Sequence, residues 1–167
     1  SIGIVGSTGA GKSTLVDILL GLLQPTSGRV TLDGDDLAGR ERAWQNLVGY
    51  VPQTPYLLDE TVRQNIAFGV PDAQIDEQRM ARACDLAHLD EVVRELPEGL
   101  DTRIGEGGTR LSGGQRQRVA IARALYHDPA VLVFDEATAA LDNYTEREVT
   151  NAIAALHGAR TLIVVAH

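Results

Sequence analysis

Lys12 is the only lysine in a chain that otherwise carries fourteen arginines. It ends a glycine-rich run, Gly6-Ser7-Thr8-Gly9-Ala10-Gly11-Lys12-Ser13, that fits Gly-x-x-x-x-Gly-Lys-Ser/Thr. Phosphate binding needs converging backbone N–H groups, and glycines permit the curvature that points them inward. A helix starting at Lys12 adds its N-terminal dipole, which favours anions. In this arrangement Lys12 bridges the outer phosphates of a nucleoside triphosphate, and the Ser13 hydroxyl ligates Mg²⁺. Thr14 follows on the first turn and belongs to the same nucleotide-binding stretch.

A second chemical element is Val131-Leu132-Val133-Phe134-Asp135-Glu136, an apolar run ending in two acids. A buried parallel strand delivers its C-terminal residues to the ligand crevice of an α/β sheet. Asp135 is suited to hold Mg²⁺ through a water. Glu136 points differently and is placed to polarise the attacking water as a general base, worth about 10²–10⁴ in rate. With Lys12 the only lysine, the Asn-Lys-x-Asp motif of guanine-specific proteins cannot be present.

The third element is Leu111-Ser112-Gly113-Gly114-Gln115. Ser112 reads as an N-cap, and two glycines bare the N–H groups of a helix start, a second anion site. One nucleotide cannot easily use both sites of one chain, which suggests a second subunit.

Short β-branched runs alternating with helical stretches predict an α/β layer fold with parallel strands. Strands are predicted at Ser1–Val5, Arg29–Asp33, Leu47–Val51, Val131–Phe134 and Thr161–Val165. Helices are predicted at Lys12–Leu22, Ile75–Ala87, Asp90–Leu96, Gly113–His127 and Thr145–Leu156, the last with Val149, Ile153 and Leu156 on one face. Asp128-Pro129 stops the fourth helix. Residues from about 72 to 125 read as a helical subdomain inserted in the core.

Composition narrows the class. The 167 residues suit one domain, and 44% hydrophobic content suits a packed core. Twenty-three acids against fifteen bases give a net charge of −8, so nucleic acid is not an expected partner. Cys84, the single cysteine, leaves no internal disulfide, and its helical neighbours Met80, Ala83 and Ala87 make it a buried thiol. No apolar stretch approaches the ~20 residues that span a bilayer. Trp44 reads as packing, and His88, His127 and His157 have no ligand-like spacing.

The run Leu111–Gln115 with the following Arg116-Gln117-Arg118-Val119-Ala120-Ile121-Ala122-Arg123-Ala124-Leu125 resembles the ABC signature. The whole chain resembles an ABC transporter nucleotide-binding domain, from the Walker A strand to the switch histidine. The resemblance implies a P-loop core plus helical subdomain that binds ATP and Mg²⁺. It implies that Ser112 and Gly114 of one subunit contact the γ-phosphate held by the other subunit's Lys12 loop. Gln53, after Pro52, matches the Q-loop that couples Mg²⁺ and γ-phosphate to the transport domain. Asp142, in Ala140-Leu141-Asp142, matches the D-loop across the dimer interface, and His167 matches the switch histidine.

Ala137-Thr138 after Glu136, Gly105-Glu106-Gly107-Gly108 before the signature and Asp59–Gly69 resemble exporters. The expected partners are a second nucleotide-binding domain, identical or homologous, and a transmembrane domain fused upstream, at the cytoplasmic face of a membrane. Both ends read as abrupt, so a fragment is expected, with the adenine-stacking aromatic upstream and an exposed sheet edge at Arg29–Asp33. The alternative is a soluble ABC ATPase of DNA repair, chromosome or ribosome assemblies; a silent partner subunit sits badly with intact Lys12, Glu136 and Ser112.

Overall fold

The computed structural model describes residues 1–137, 143–144, 146–147, 150 and 160–166. Four parallel strands form the main sheet: β1 (Ile2–Val5), β4 (Val48–Val51), β5 (Val131–Asp135) and β6 (Thr161–Ala166), in the order β1-β6-β5-β4. The register pairs Ile4 with Val165, Phe134 with Val164 and Val51 with Phe134. All four strands therefore end at one rim, where the Gly6 loop, Glu136 and Pro52-Gln53 follow them. Ligands of open α/β sheets bind along this rim.

Both faces of β5 are covered, which is why it reads as a continuous apolar run. Val133, Ile163 and Val165 pack with Val16 and Leu20 around helix α1 (Lys12–Leu19). The alternate residues Leu132, Phe134 and Leu162 join a larger cluster with Val119, Ile121 and Ala122 of α6 (Gly113–Tyr126). Gly49 shows how closely β4 and α6 approach. A Cβ there would lie 2.6 Å from the Ala124 carbonyl oxygen and 2.8 Å from the Pro129 ring.

Helix α1 ends three residues before the expected Leu22. Gly21 turns left-handed (φ 68°), its N–H bonds Ile18 O at 3.1 Å, and Leu22 N–H bonds Asp17 O at 2.9 Å. That pair is a Schellman cap, and glycine at C′ allows it without steric cost. Trp44, on the short helix α2 (Glu41–Gln45), does more than pack: its indole N–H donates to the Leu19 carbonyl at 2.7 Å.

The expected strand Arg29–Asp33 is not part of the parallel sheet. Only β2 (Thr31–Leu32) forms there, antiparallel to β3 (Asp35–Asp36) in a separate hairpin. Asp33 and Gly34 both adopt positive φ, 52° and 92°, as a two-residue type I′ turn requires. The Asp-Gly pair was the local signal for this turn. The main sheet instead presents β1 as an edge strand, with Ile2 and Val5 exposed.

Between β4 and β5 the chain is helical: α3 (Val62–Ile66), α4 (Glu77–Leu86), α5 (Asp90–Glu95) and α6. The α3 helix has a local cause. Thr61 accepts from Gln64 N–H and the Gln64 side chain returns to Thr61 N–H, a capping box. Asp76 caps α4 by accepting from Gln78 and Arg79 N–H. Met80, Ala83, Cys84 and Ala87 are buried together. Of the expected helix Thr145–Leu156, Glu146, Arg147 and Thr150 are helical, and its apolar face lies outside the described residues. Among the described residues no helix is long and apolar enough to cross a membrane.

Candidate functional site

The Gly6–Ser13 loop is a tight turn leading into α1. Ala10 N–H bonds Ser7 O at 3.1 Å, and Gly9 and Gly11 take φ of 80° and 90°. Gly11 is the N-cap of α1 and makes no side-chain cap. The first turn of a helix has N–H groups without intrahelical partners. In α1 these belong to Lys12, Ser13 and Thr14, the last two exposed. A loop of this form suits phosphate oxygens, which accept hydrogen bonds and carry negative charge. Lys12 folds back over it, donating to Gly6 O at 2.6 Å and lying 3.9 Å from Glu136 Oε1.

Asp135 closes β5, and the chain turns sharply at Glu136, whose φ is 49°. Its N–H bonds Val165 O at 3.1 Å, which anchors the turn to β6. A left-handed non-glycine residue carries strain of roughly 1–3 kcal/mol and marks a position the surroundings hold in place. The turn sends the two acids apart. Asp135 meets the Tyr50 hydroxyl at 3.4 Å, whereas Glu136 accepts from Gln53 Nε2 at 2.7 Å. Burial, then the Asp135 carboxylate, push the Tyr50 phenol up to about 12, so it remains a donor at neutral pH.

Lys12, Gln53, Asp135 and Glu136 thus converge at the rim, the last three on strand ends that the β4–β5 register places side by side. Ser13 lies next to Lys12 on the same helical turn. The Ser13 hydroxyl, Asp135 carboxylate and Gln53 amide oxygen are all hard oxygen donors. That set fits Mg²⁺, which takes few protein ligands and completes its shell with phosphate and water.

Ser112 caps α6 through a full capping box. Its hydroxyl accepts from Gln115 N–H at 3.2 Å and Gln115 Oε1 accepts from Ser112 N–H at 2.9 Å. Leu111 is buried and anchors the cap, while Ser112 and Gly113 are exposed and Gly114 and Gln115 half-buried. Among the described residues Ser112 and Gln115 bond to each other and not to the Gly6–Ser13 loop. The face they present is open to another molecule. Asp142 and His167 lie outside the described residues; His167 follows β6 directly in sequence.

The family model for ABC transporters matches residues 1–139. The chain belongs to the ABC transporter family. It is 48% identical over 99% of its length to an ATP-dependent lipid A-core flippase of Ralstonia nicotianae. It is 48% identical over 98% of its length to a mycobactin import ATP-binding/permease protein of Mycolicibacterium thermoresistibile. The solved structure of a bacterial Atm1-family ABC exporter with ATP bound superposes with a TM-score of 0.92 at 40% identity, covering 99% of this chain. The chain spans 28% of the length of each of these two relatives and 29% of the solved chain.

In this ABC transporter domain a polar brace joins the segment after Gln53 to the signature helix, and the sequence reading missed it. Arg123 of α6 donates to Asn65 O at 2.7 Å, Asn65 Oδ1 at 2.8 Å and Tyr56 O at 2.8 Å, and lies over the Phe68 ring. Asn65 is fully buried and also bonds Leu58 and Thr61 through its amide. A buried Asn is not visible in a sequence, since the residue type belongs to surfaces and turns. Gly108 fits against the same segment: a Cβ there would lie 2.9 Å from Leu57.

Proposed function

We propose that this domain hydrolyses ATP as one half of a nucleotide-sandwich dimer and so powers export across a membrane. The observation that carries the chemistry is the placement of Glu136: its carboxylate stands between the Lys12 ammonium and the Gln53 amide at the end of β5. ATP seats its outer phosphates on the Gly6–Thr14 loop, and Lys12 exchanges the Gly6 carbonyl for phosphate oxygen. Glu136 takes a proton from the water whose oxygen attacks the γ-phosphorus, and the bond to the β-phosphate oxygen breaks. When bound, Mg²⁺ neutralises charge on the phosphates, and Ser13, Gln53 and Asp135 would hold it.

Ser112, Gly113 and Gly114 complete the site in trans. Their exposed helix start supplies N–H groups to the γ-phosphate seated on the partner domain. In this reading Asp142 lies at the dimer interface and His167 at the γ-phosphate. A transmembrane domain in the same polypeptide, with this domain on its cytoplasmic face, accords with relatives named flippase, permease and exporter and with their greater length. Those names do not favour the soluble-assembly alternative. One of these relatives carries import in its name, so export rests on Ala137-Thr138, on Gly105–Gly108 and on the flippase and exporter relatives.

The experiment is Glu136→Gln in the full-length protein. Steady-state hydrolysis is expected to fall by about 10²–10⁴, the ordinary worth of a general base, with ATP retained in a closed dimer. Hydrolysis at the unmodified rate would sink the assignment.

A further inference from the structure

Gln117 is 1% exposed, one of only three buried polar residues of the described chain. It lies on α6, five residues after the Ser112 cap, and its Nε2 donates to the Pro52 carbonyl at 3.2 Å. Pro52 precedes Gln53, whose own amide holds Glu136 at 2.7 Å. Pro52 can donate nothing itself, because proline has no N–H. A single line of hydrogen bonds therefore runs from the signature helix through Gln117, across one peptide unit and through Gln53 to the Glu136 carboxylate. The other Gln117 amide atom, Oε1, is buried without a hydrogen-bond partner. An apolar side chain in its place would remove that acceptor and also take from the Pro52 carbonyl its Gln117 donor. The donor end of Gln117 is the end that makes a bond, and it makes it to the residue before Gln53.

We propose that Gln117 is a positioning residue for hydrolysis: it ties the orientation of the signature helix to the placement of Gln53 and thereby of Glu136. The inference rests on the proposed roles of Gln53 and Glu136. Ser112 and Glu136 serve opposite nucleotide sites of the dimer in that reading. Gln117 then carries information between them within one subunit, because a tilt of α6 pulls on Pro52 O and shifts the amide that holds the base. Rotation of the Gln117 amide cannot substitute for the bond, since only the NH₂ end donates.

The test is a double-mutant cycle on the full-length transporter with Gln117→Met, Gln53→Ala and both together, read as kcat and KM for ATP. Methionine matches the length of glutamine and removes the donor and the unpaired acceptor at once. Gln117→Met is expected to lower kcat about five- to tenfold, the worth of one hydrogen bond, with KM unchanged within about twofold. On the Gln53→Ala background it is expected to lower kcat no further, because both act through the same amide. Losses that multiply in the double variant would show a packing role and overturn the proposal, as would undiminished kcat in either single variant. Gln117→Leu, with a different shape and the same missing donor, repeats the reading if the Met variant does not fold. Glu136→Gln, measured beside them, reports on the base itself: hydrolysis retained there refutes the proposed chemistry, whereas hydrolysis lost there with multiplying losses here refutes only the role of Gln117.

Discussion

Gln53 and Glu136, 83 residues apart in the chain, are joined by a 2.7 Å hydrogen bond from amide to carboxylate. The cause is the strand pairing beneath them. Val51 lies beside Phe134 in parallel register, so the residues that follow each strand emerge at the same rim. A contact of this kind depends on register, and a slip of one residue would turn one of the two side chains away.

The cap of α6 allows the two-site reading to be tested. Ser112→Arg places a long cation on the exposed helix start while leaving the Lys12 loop untouched. ATP binding by the isolated subunit is expected to survive, with steady-state hydrolysis reduced to background. Equilibrium nucleotide binding measured beside turnover decides it. Loss of binding in the monomer would put Ser112 in its own subunit's nucleotide site.

The Asn65–Arg123 brace is expected to govern stability. Burial pulls the Arg123 guanidinium pKa down, yet the side chain is held by three acceptors and a ring face. Arg123→Ala takes the donors from the Asn65 and Tyr56 carbonyls, while Asn65 Oδ1 keeps the Leu58 N–H, and is expected to cost about 3 kcal/mol or more. Arg123→Lys is expected to recover little, because an ammonium does not reproduce the guanidinium fork. Thermal midpoints of the purified variants give the order, and a lysine variant as stable as the parent would refute the brace.

Gly49 has a φ that any residue tolerates and is needed for room alone. Gly49→Ala brings a methyl group to 2.6 Å from Ala124 O, a backbone atom that cannot rotate away. Overpacking of this kind costs about 1–3 kcal/mol, and the expected readout is a lowered unfolding midpoint. The same substitution at Gly113, where no atom lies closer than 4.0 Å, is expected to spare the fold.

Cys84 gives a pH dependence of definite sign. Burial pushes its thiol from 9.0 to about 12. The folded chain therefore keeps a proton that the unfolded chain releases above pH 9. The neutral thiol's stability contribution is full below about pH 9 and declines as pH rises toward 12, by up to about 1.4 kcal/mol per unit. Urea midpoints at pH 7 and pH 10 measure it. At pH 8 the thiol is expected to resist a disulfide reagent until the protein unfolds, and rapid labelling of native protein would contradict its burial.

The sequence by itself determined the elements whose physics is local. Glycines at 9 and 11 before Lys12 specify the tight turn into α1, because backbone curvature needs no distant partner. The apolar β5 run places Asp135 and Glu136 at a strand end, and Ser112 announces its cap. Local signals also exist for the Asp33-Gly34 turn and the Thr61–Gln64 capping box, in the Asp-Gly pair and the Thr-x-x-Gln spacing. Only the tertiary structure decided which strand ends became neighbours, which carboxylate turned toward Lys12, and which buried amides joined the helices to the rim. Those outcomes depend on register and on close approach between residues dozens of positions apart, and side-chain type along one chain carries no record of either. Asn65, Gln117 and Arg123 look like surface residues in the sequence. Asn65 and Gln117 are buried and Arg123 half-buried because each finds backbone carbonyls, Asn65 those of Leu58 and Thr61 and the other two those of a distant segment. A polar group leaves water only where such partners already wait.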